Sequence, residues 1–172
     1  NVHSTFAVCW GAMAMLHYFY KLPKYQLAKK AFGCYHHKNI APENKYLRGF
    51  SDKIEIPVSR WSEMRQVDIE KHESLSILLT SEKVGPCLIE DKKLQALYMF
   101  NHLEYDTTTL ANEYSRDKEY KAQAPKPVNY FPDNKSSNSP RNKWRSHGHL
   151  LYGNWINEIY QRTPFDFSKI GK

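Results

Sequence analysis

The sequence predicts an α/β protein, and three observations carry that prediction. Residues 2–8 are β-branched and aromatic enough for a strand, and they lead at once into Met13, Leu16, Phe19 and Tyr20 at helical spacing. Residues 75–80, 85–90 and 95–100 give three short strand patterns separated by polar turns, at the spacing of hairpins. Two amphipathic helix patterns follow, one around Leu110, Ala111 and Tyr114 and one over residues 149–161.

Size and charge narrow the class. The 172 residues suit one domain, residues 1–172, and a 41% apolar content is enough to build a core. The 25 Lys and Arg against 18 Asp and Glu leave a net charge of +7, but no regular interleaving of basic and aromatic residues points to nucleic acid. The longest apolar stretch, residues 6–16, is far short of the roughly 20 residues a membrane span needs. No basic signal region precedes it, and three cysteines (Cys9, Cys34 and Cys87) are too few for a disulfide scaffold. A reducing cytoplasm is therefore the expected location. The chain opens on Asn1 with a strand pattern almost immediately after it, which suggests the C-terminal portion of something longer.

Taken in order, the first strand pattern ends at Cys9-Trp10-Gly11-Ala12, where the first helix begins, and Pro23 stops that helix. A strand, a cysteine, small residues and a helix make the shape of a nucleophile elbow, with the helix N-terminus lowering the thiol pKa. The same segment alone also fits a buried structural cysteine at a strand end. A stretch rich in Lys, His and Asn separates this helix from residues 54–59, a strand pattern that Pro57 assigns to a sheet edge or end. After the three hairpin-spaced strands, His102 and Glu104 stand two apart, so that in extended chain they face one way. A carboxylate holding an imidazole is the base-and-orienter half of a triad that Cys9 would complete, although H-x-E alone is a common accident. Asp106 is the expected N-cap of the next helix. Residues 121–145, basic and rich in Pro, Ser and Asn, read as a solvated polar loop. No metal site is expected, since His36-His37 and His147/His149 have no cysteine or acid at matching spacing.

Together these residues resemble the homoserine O-acyltransferases, or homoserine transsuccinylases, along essentially the whole chain. Cys9-Trp10-Gly11-Ala12-Met13-Ala14 is similar to the family's C-W-G-A-Q-A, and Leu47-Arg48-Gly49-Phe50 to its L-R-G-F. Pro57-Val58-Ser59-Arg60 stands for P-H-S-R, and Asn101-His102-Leu103-Glu104-Tyr105-Asp106 for G-H-P-E-Y-D. Lys30, before Ala31-Phe32-Gly33, and Arg116, within Glu113-Tyr114-Ser115-Arg116-Asp117, fall on the family's substrate-binding basic positions. The blocks at 127–132 and 144–151 are near-verbatim. Their shared order outweighs the structural reading of Cys9.

The resemblance implies a three-layer fold like that of class I glutamine amidotransferases (flavodoxin-like), with a mostly parallel sheet whose N-terminal strands are absent from this chain. It implies a ping-pong transfer of an acyl group from acyl-CoA to homoserine in methionine biosynthesis, and the Lys-, Asn- and Tyr-rich composition favours acetyl over succinyl as that group. Cys9 would be the nucleophile, His102 the base, Glu104 its partner and the Trp10 N–H an oxyanion donor. Lys30, Ser59 and Arg116 would bind substrate. No cofactor is expected beyond acetyl-CoA or succinyl-CoA as co-substrate, and the expected assembly is a homodimer. A second oxyanion donor and the position discriminating acyl donors would lie before residue 2. Trp61-Ser62 replaces the family's H-T beside Ser59, which keeps serine open as an alternative acceptor. A glutamine amidotransferase-like enzyme, or an inactive fragment, are the other readings.

Overall fold

A computed structural model describes residues 2–120, 123–164 and 166–169. Six strands form one sheet: β1 (Thr5–Val8), β2 (Tyr25–Asn39), β3 (Lys53–Glu63), β4 (Leu75–Ser81), β5 (Gly85–Asp91) and β6 (Ala96–Met99). Their spatial order is β1-β6-β5-β4-β2-β3. The helices are α1 (Trp10–Tyr20), a single turn α2 (Gln66–Ile69), α3 (Thr109–Tyr120) and α4 (Arg145–Arg162).

The sheet departs from the expected pairing. Only β1 and β6 run parallel, in register from Thr5↔Ala96 to Val8↔Met99, while the other strand pairings are antiparallel. The cause is connection length. The turns between β4, β5 and β6 are a few residues each, and a parallel return needs a crossover of a dozen or more. The α/β class stands, and within the described residues the sheet is mixed.

Two helices cover β1 from opposite sides. Ala12, Met13 and Leu16 of α1 bury against Tyr98, Phe100 and Ile89, whereas Tyr152 and Trp155 of α4 pack on the Phe6 ring at 4.9 and 5.3 Å between centroids. Ile156, in the helical register of Leu151 and Trp155, is exposed. Residues 149–161 thus lie inside a longer helix whose buried stripe is narrow. Asp106 is not a side-chain cap. Helix α3 begins three residues later, and Asp106 contributes its carbonyl to the Thr109 N–H.

Strand β2 occupies the Lys-, His- and Asn-rich stretch in which pattern showed no strand. It forms a long ribbon with β3, which sits at the sheet edge as Pro57 required. Lys29, His36 and Lys38 are exposed along β2, so its alternation is masked. Gly33, at φ 133°, lets residue 128 run against β2, with Cys34 N–H donating to the Val128 carbonyl at 2.9 Å and Val128 N–H to Phe32 at 3.0 Å. A Cβ at Gly33 would collide with the Val128 backbone.

The segment 121–145 is also more than a solvated loop. Lys121 and Ala122 lie outside the described residues, and Arg145 is already the first residue of α4. Between them Tyr130, Phe131 and Trp144 enter the core. The Tyr130 hydroxyl donates to the Thr107 carbonyl, and Trp144 Nε1 donates to the Tyr105 carbonyl at 2.8 Å. A polar composition hid three aromatic anchors that brace the chain just after His102.

Candidate active site

Parallel neighbours end side by side, and β1 and β6 bring residues 9 and 102 together in this way. The Cys9 N–H donates to the Met99 carbonyl at 2.6 Å, and the His102 N–H to the Pro57 carbonyl at 2.9 Å. Cys9 sits between strand and helix at φ 53°, ψ −121°, a conformation that non-glycine residues adopt only when the surroundings impose it. This is a strained strand-to-helix turn, the geometry of a nucleophile elbow. It turns the thiol off the strand and over the N-terminus of α1.

His102 is buried, and its Nδ1–H donates to Glu104 Oε1 at 2.5 Å. Its Nε2 is therefore left on the Cys9 side. The sulfur is close enough that each group shifts the other's protonation, although Nε2 makes no well-aligned hydrogen bond. Burial alone would push the Cys9 thiol up. Contact with His102 and its charge, the Trp10 N–H and the Arg60 charge outweigh burial and hold the thiol below its usual 9.0. For His102, burial works downward, and its contact with Cys9 and its hydrogen bond to Glu104 win, raising it to about 9. At neutral pH His102 is therefore held as the imidazolium, and its charge favours the ionised form of Cys9. Cys34 and Cys87 are the opposite case, buried and pushed up to about 12, which leaves them inert. All three cysteines are free thiols.

The expected substrate-binding residues cluster, but around two acids that sequence reasoning missed. Lys30 Nζ lies 2.8 Å from both Glu113 Oε1 and Asp117 Oδ2, and 3.9 Å from the Phe32 ring centre. Ser59 Oγ donates to Glu113 Oε1 at 2.7 Å, and Arg116 reaches Asp117 at 2.9 Å. Glu113, Arg116 and Asp117 share one face of α3 through their three- and four-residue spacing, a signal present in the sequence. Tyr105 joins this cluster to the base. Its ring stacks on His102 at 4.1 Å and lines an open cleft with Thr109, Asn112, Glu113 and Arg116. A separate cavity by His36, Lys38 and Lys53 includes none of these residues. Among the described residues, no cluster of three or more His, Cys, Asp or Glu is gathered as a metal would need, and no helix is long and apolar enough to cross a membrane.

Solved structures of similar fold include a glutamine amidotransferase from Thermotoga maritima (TM-score 0.62, 16% identity, covering 90% of this chain and 61% of that one). Another is a glutamine amido transferase from Methylobacillus flagellatus (TM-score 0.56, 10% identity, 88% and 61% covered). The fold is thus of the class I glutamine amidotransferase type, with cysteine, histidine and glutamate gathered at adjacent strand ends. Within that class the chain belongs to the homoserine O-succinyltransferase family, whose model matches residues 1–165. It is 58% identical over 172 residues to a homoserine O-acetyltransferase of Roseobacter denitrificans, and 57% identical over 171 to one of Rhizobium johnstonii. It covers 100% and 99% of itself in these matches, and 56% of each relative, so the chain spans about half the length of the curated relatives it matches.

Proposed function

We propose that this chain carries the nucleophile, the base and the acceptor-binding residues of an acyl-CoA-dependent homoserine O-acyltransferase in methionine biosynthesis. The Cys9 thiolate attacks the thioester carbonyl, the tetrahedral oxyanion takes the Trp10 N–H, and CoA leaves as a thiolate that accepts the His102 proton. Neutral His102 then removes the homoserine hydroxyl proton. The alkoxide attacks the acyl-Cys9 carbonyl, and Cys9 departs as thiolate while the ester is released. The Glu113/Arg116 cleft beside Tyr105 receives the amino acid, with Arg116 offered to its carboxylate. The observation carrying this reading is the Cys9–His102–Glu104 arrangement, in which the thiol is pulled down and the imidazole pulled up.

Acetyl is the favoured donor, in keeping with the names of the relatives at 56–58% identity. Cytoplasmic location and homodimer formation belong to the same proposal, the latter measurable by sedimentation. The test is intact-protein mass spectrometry after brief mixing with acetyl-CoA or succinyl-CoA without acceptor. One acyl group should add to Cys9, be absent in Cys9→Ala, and discharge to homoserine. Discharge to serine instead would reassign the acceptor. Labelling by glutamine would make the chain amidotransferase-like, and no adduct with any donor would withdraw the assignment.

A further inference from the structure

Among the described residues, the buried guanidinium of Arg60 forms no ion pair with a carboxylate. Arg60 on β3 is 5% exposed, and its partners are all neutral: Asn101 Oδ1 accepts from Nε at 3.3 Å, and the Ser62 and Val84 carbonyls accept from the other two nitrogens. Asn101 in turn donates through Nδ2 to His37 Nε2 at 2.8 Å, and His37 Nδ1–H donates to the Tyr35 carbonyl at 2.9 Å. The polarity of the chain is forced. Arginine only donates, so Asn101 must turn its oxygen to Arg60 and its amide to His37, and His37 must be neutral with its proton on Nδ1. Burial supplies that neutrality, holding His37 at about 4.

An unpaired buried cation costs several kcal/mol of lost hydration, an outlay rarely retained without use. The ionisable groups whose charges act on Arg60 are the Cys87 thiol on β5, Glu63 on its own strand, Cys9 and the Tyr35 phenol on β2. Glu63 already pairs with Arg65 at 3.4 Å. The groups acting on Cys9 are His102, the Trp10 N–H and Arg60. Arg60 is thus a positive charge at Cys9 that does not come and go with the proton cycle of His102. Asn101, moreover, is the residue immediately before His102 and stands where the resembled family has glycine. Its side chain ties the exit of β6 to both strands of the β2/β3 ribbon.

We propose that the buried Arg60–Asn101–His37 chain is the positioning element of this site, holding a permanent positive charge toward Cys9 and locking the backbone from which His102 projects. The consequence is kinetic as well as structural. When His102 has given up its proton to become the base for the acceptor, Arg60 still stabilises the Cys9 thiolate that must leave. The inference rests on the reading of Cys9 as nucleophile, but not on any particular acyl donor or acceptor.

The test reads the thiol itself: the pH profile of Cys9 alkylation by iodoacetamide, with Cys9→Ala as blank and circular dichroism to confirm folding. Arg60→Met removes the charge and keeps the stem. Arg60→Gln removes the charge and keeps a donor for the Asn101 oxygen. Each should move the half-point of alkylation up by about one pH unit, a roughly tenfold loss of thiolate below it. Arg60→Lys, which retains charge without the fork, should return most of the shift. A half-point unchanged in a folded Arg60→Met or Arg60→Gln protein would overturn the proposal, even if melting temperature fell, since a purely structural role predicts that pattern. If Arg60→Met does not fold, Arg60→Gln and Arg60→Lys decide it. Because alkylation needs no acyl-CoA, a missing acyl adduct with a normal alkylation shift would discard the acyltransferase reading and leave this inference standing.

Discussion

At the scale of single residues, the chemistry depends on which way a proton sits between Cys9 and His102. Glu104 holds the imidazolium through Nδ1, so Glu104→Gln should lower the His102 pKa and, through it, raise that of Cys9. Iodoacetamide labelling of Glu104→Gln near pH 7 should be slower by about tenfold, the equivalent of one pKa unit. The coupling also has a stability signature. His102 is raised in the folded state from 6.5 to about 9, so its contribution is complete below 6.5 and is lost as pH rises through about 9. Thermal melts of the parent and His102→Gln should therefore differ most at and below pH 6.5 and converge toward pH 9. The triad residues were legible one at a time, from a cysteine before a helix and from H-x-E. Glu113 and Asp117 were not, because nothing in local sequence says that Lys30 and Ser59, some 50 to 90 residues away, will meet them.

At the scale of elements, the site depends on close approaches that only small residues permit. Gly148 on α4 lies against the Leu103 carbonyl, and an added Cβ would come within 2.7 Å of it. Leu103 separates the base from its carboxylate partner, so Gly148→Ala should displace both. The expected result is a loss of acyl-transfer rate of about tenfold or more, with a smaller change in urea midpoint, measured on the same preparation. The ribbon is held to α3 by Lys30, whose side chain is 5% exposed and bridges Glu113 and Asp117. Lys30→Met leaves two carboxylates facing each other at a half-buried site, and unfolding in urea should show a loss of about 2 kcal/mol, below the full cost of breaking a buried pair because both acids retain some solvent. Hairpin-spaced strands and the elbow helix were readable as elements because their apolar periods are strong. Strand β2 was not, since its solvated face replaces the alternation with Lys and His.

For the whole molecule, stability should be graded across the sheet. Strands β4, β5 and β6 contribute Leu79, Leu88, Ile89, Leu97 and Met99, all fully buried, whereas β2 slips register with β3 between Gln26 and Ala31 and meets β4 only at Lys38 and Asn39. Amide hydrogen exchange should therefore be slowest in β5 and β6 and markedly faster over residues 25–31. Equal protection along β2 and β5 would contradict this account. The gradient also places Cys9 and His102 at the ends of well-packed strands, while Lys30 and Ser59 rest on the looser ribbon.

The sequence by itself determined the α/β class, the strand–cysteine–helix order, the His102/Glu104 pair and, by resemblance, the family, because each is written in local pattern or in blocks of adjacent residues. Tertiary structure alone decided that the sheet is mixed, that 121–145 sends Tyr130, Phe131 and Trp144 inward, and that Arg60, Asn101 and His37 join behind Cys9. Those features arise from contacts across long chain separations, where burial and hydrogen-bond satisfaction choose partners that no local period encodes.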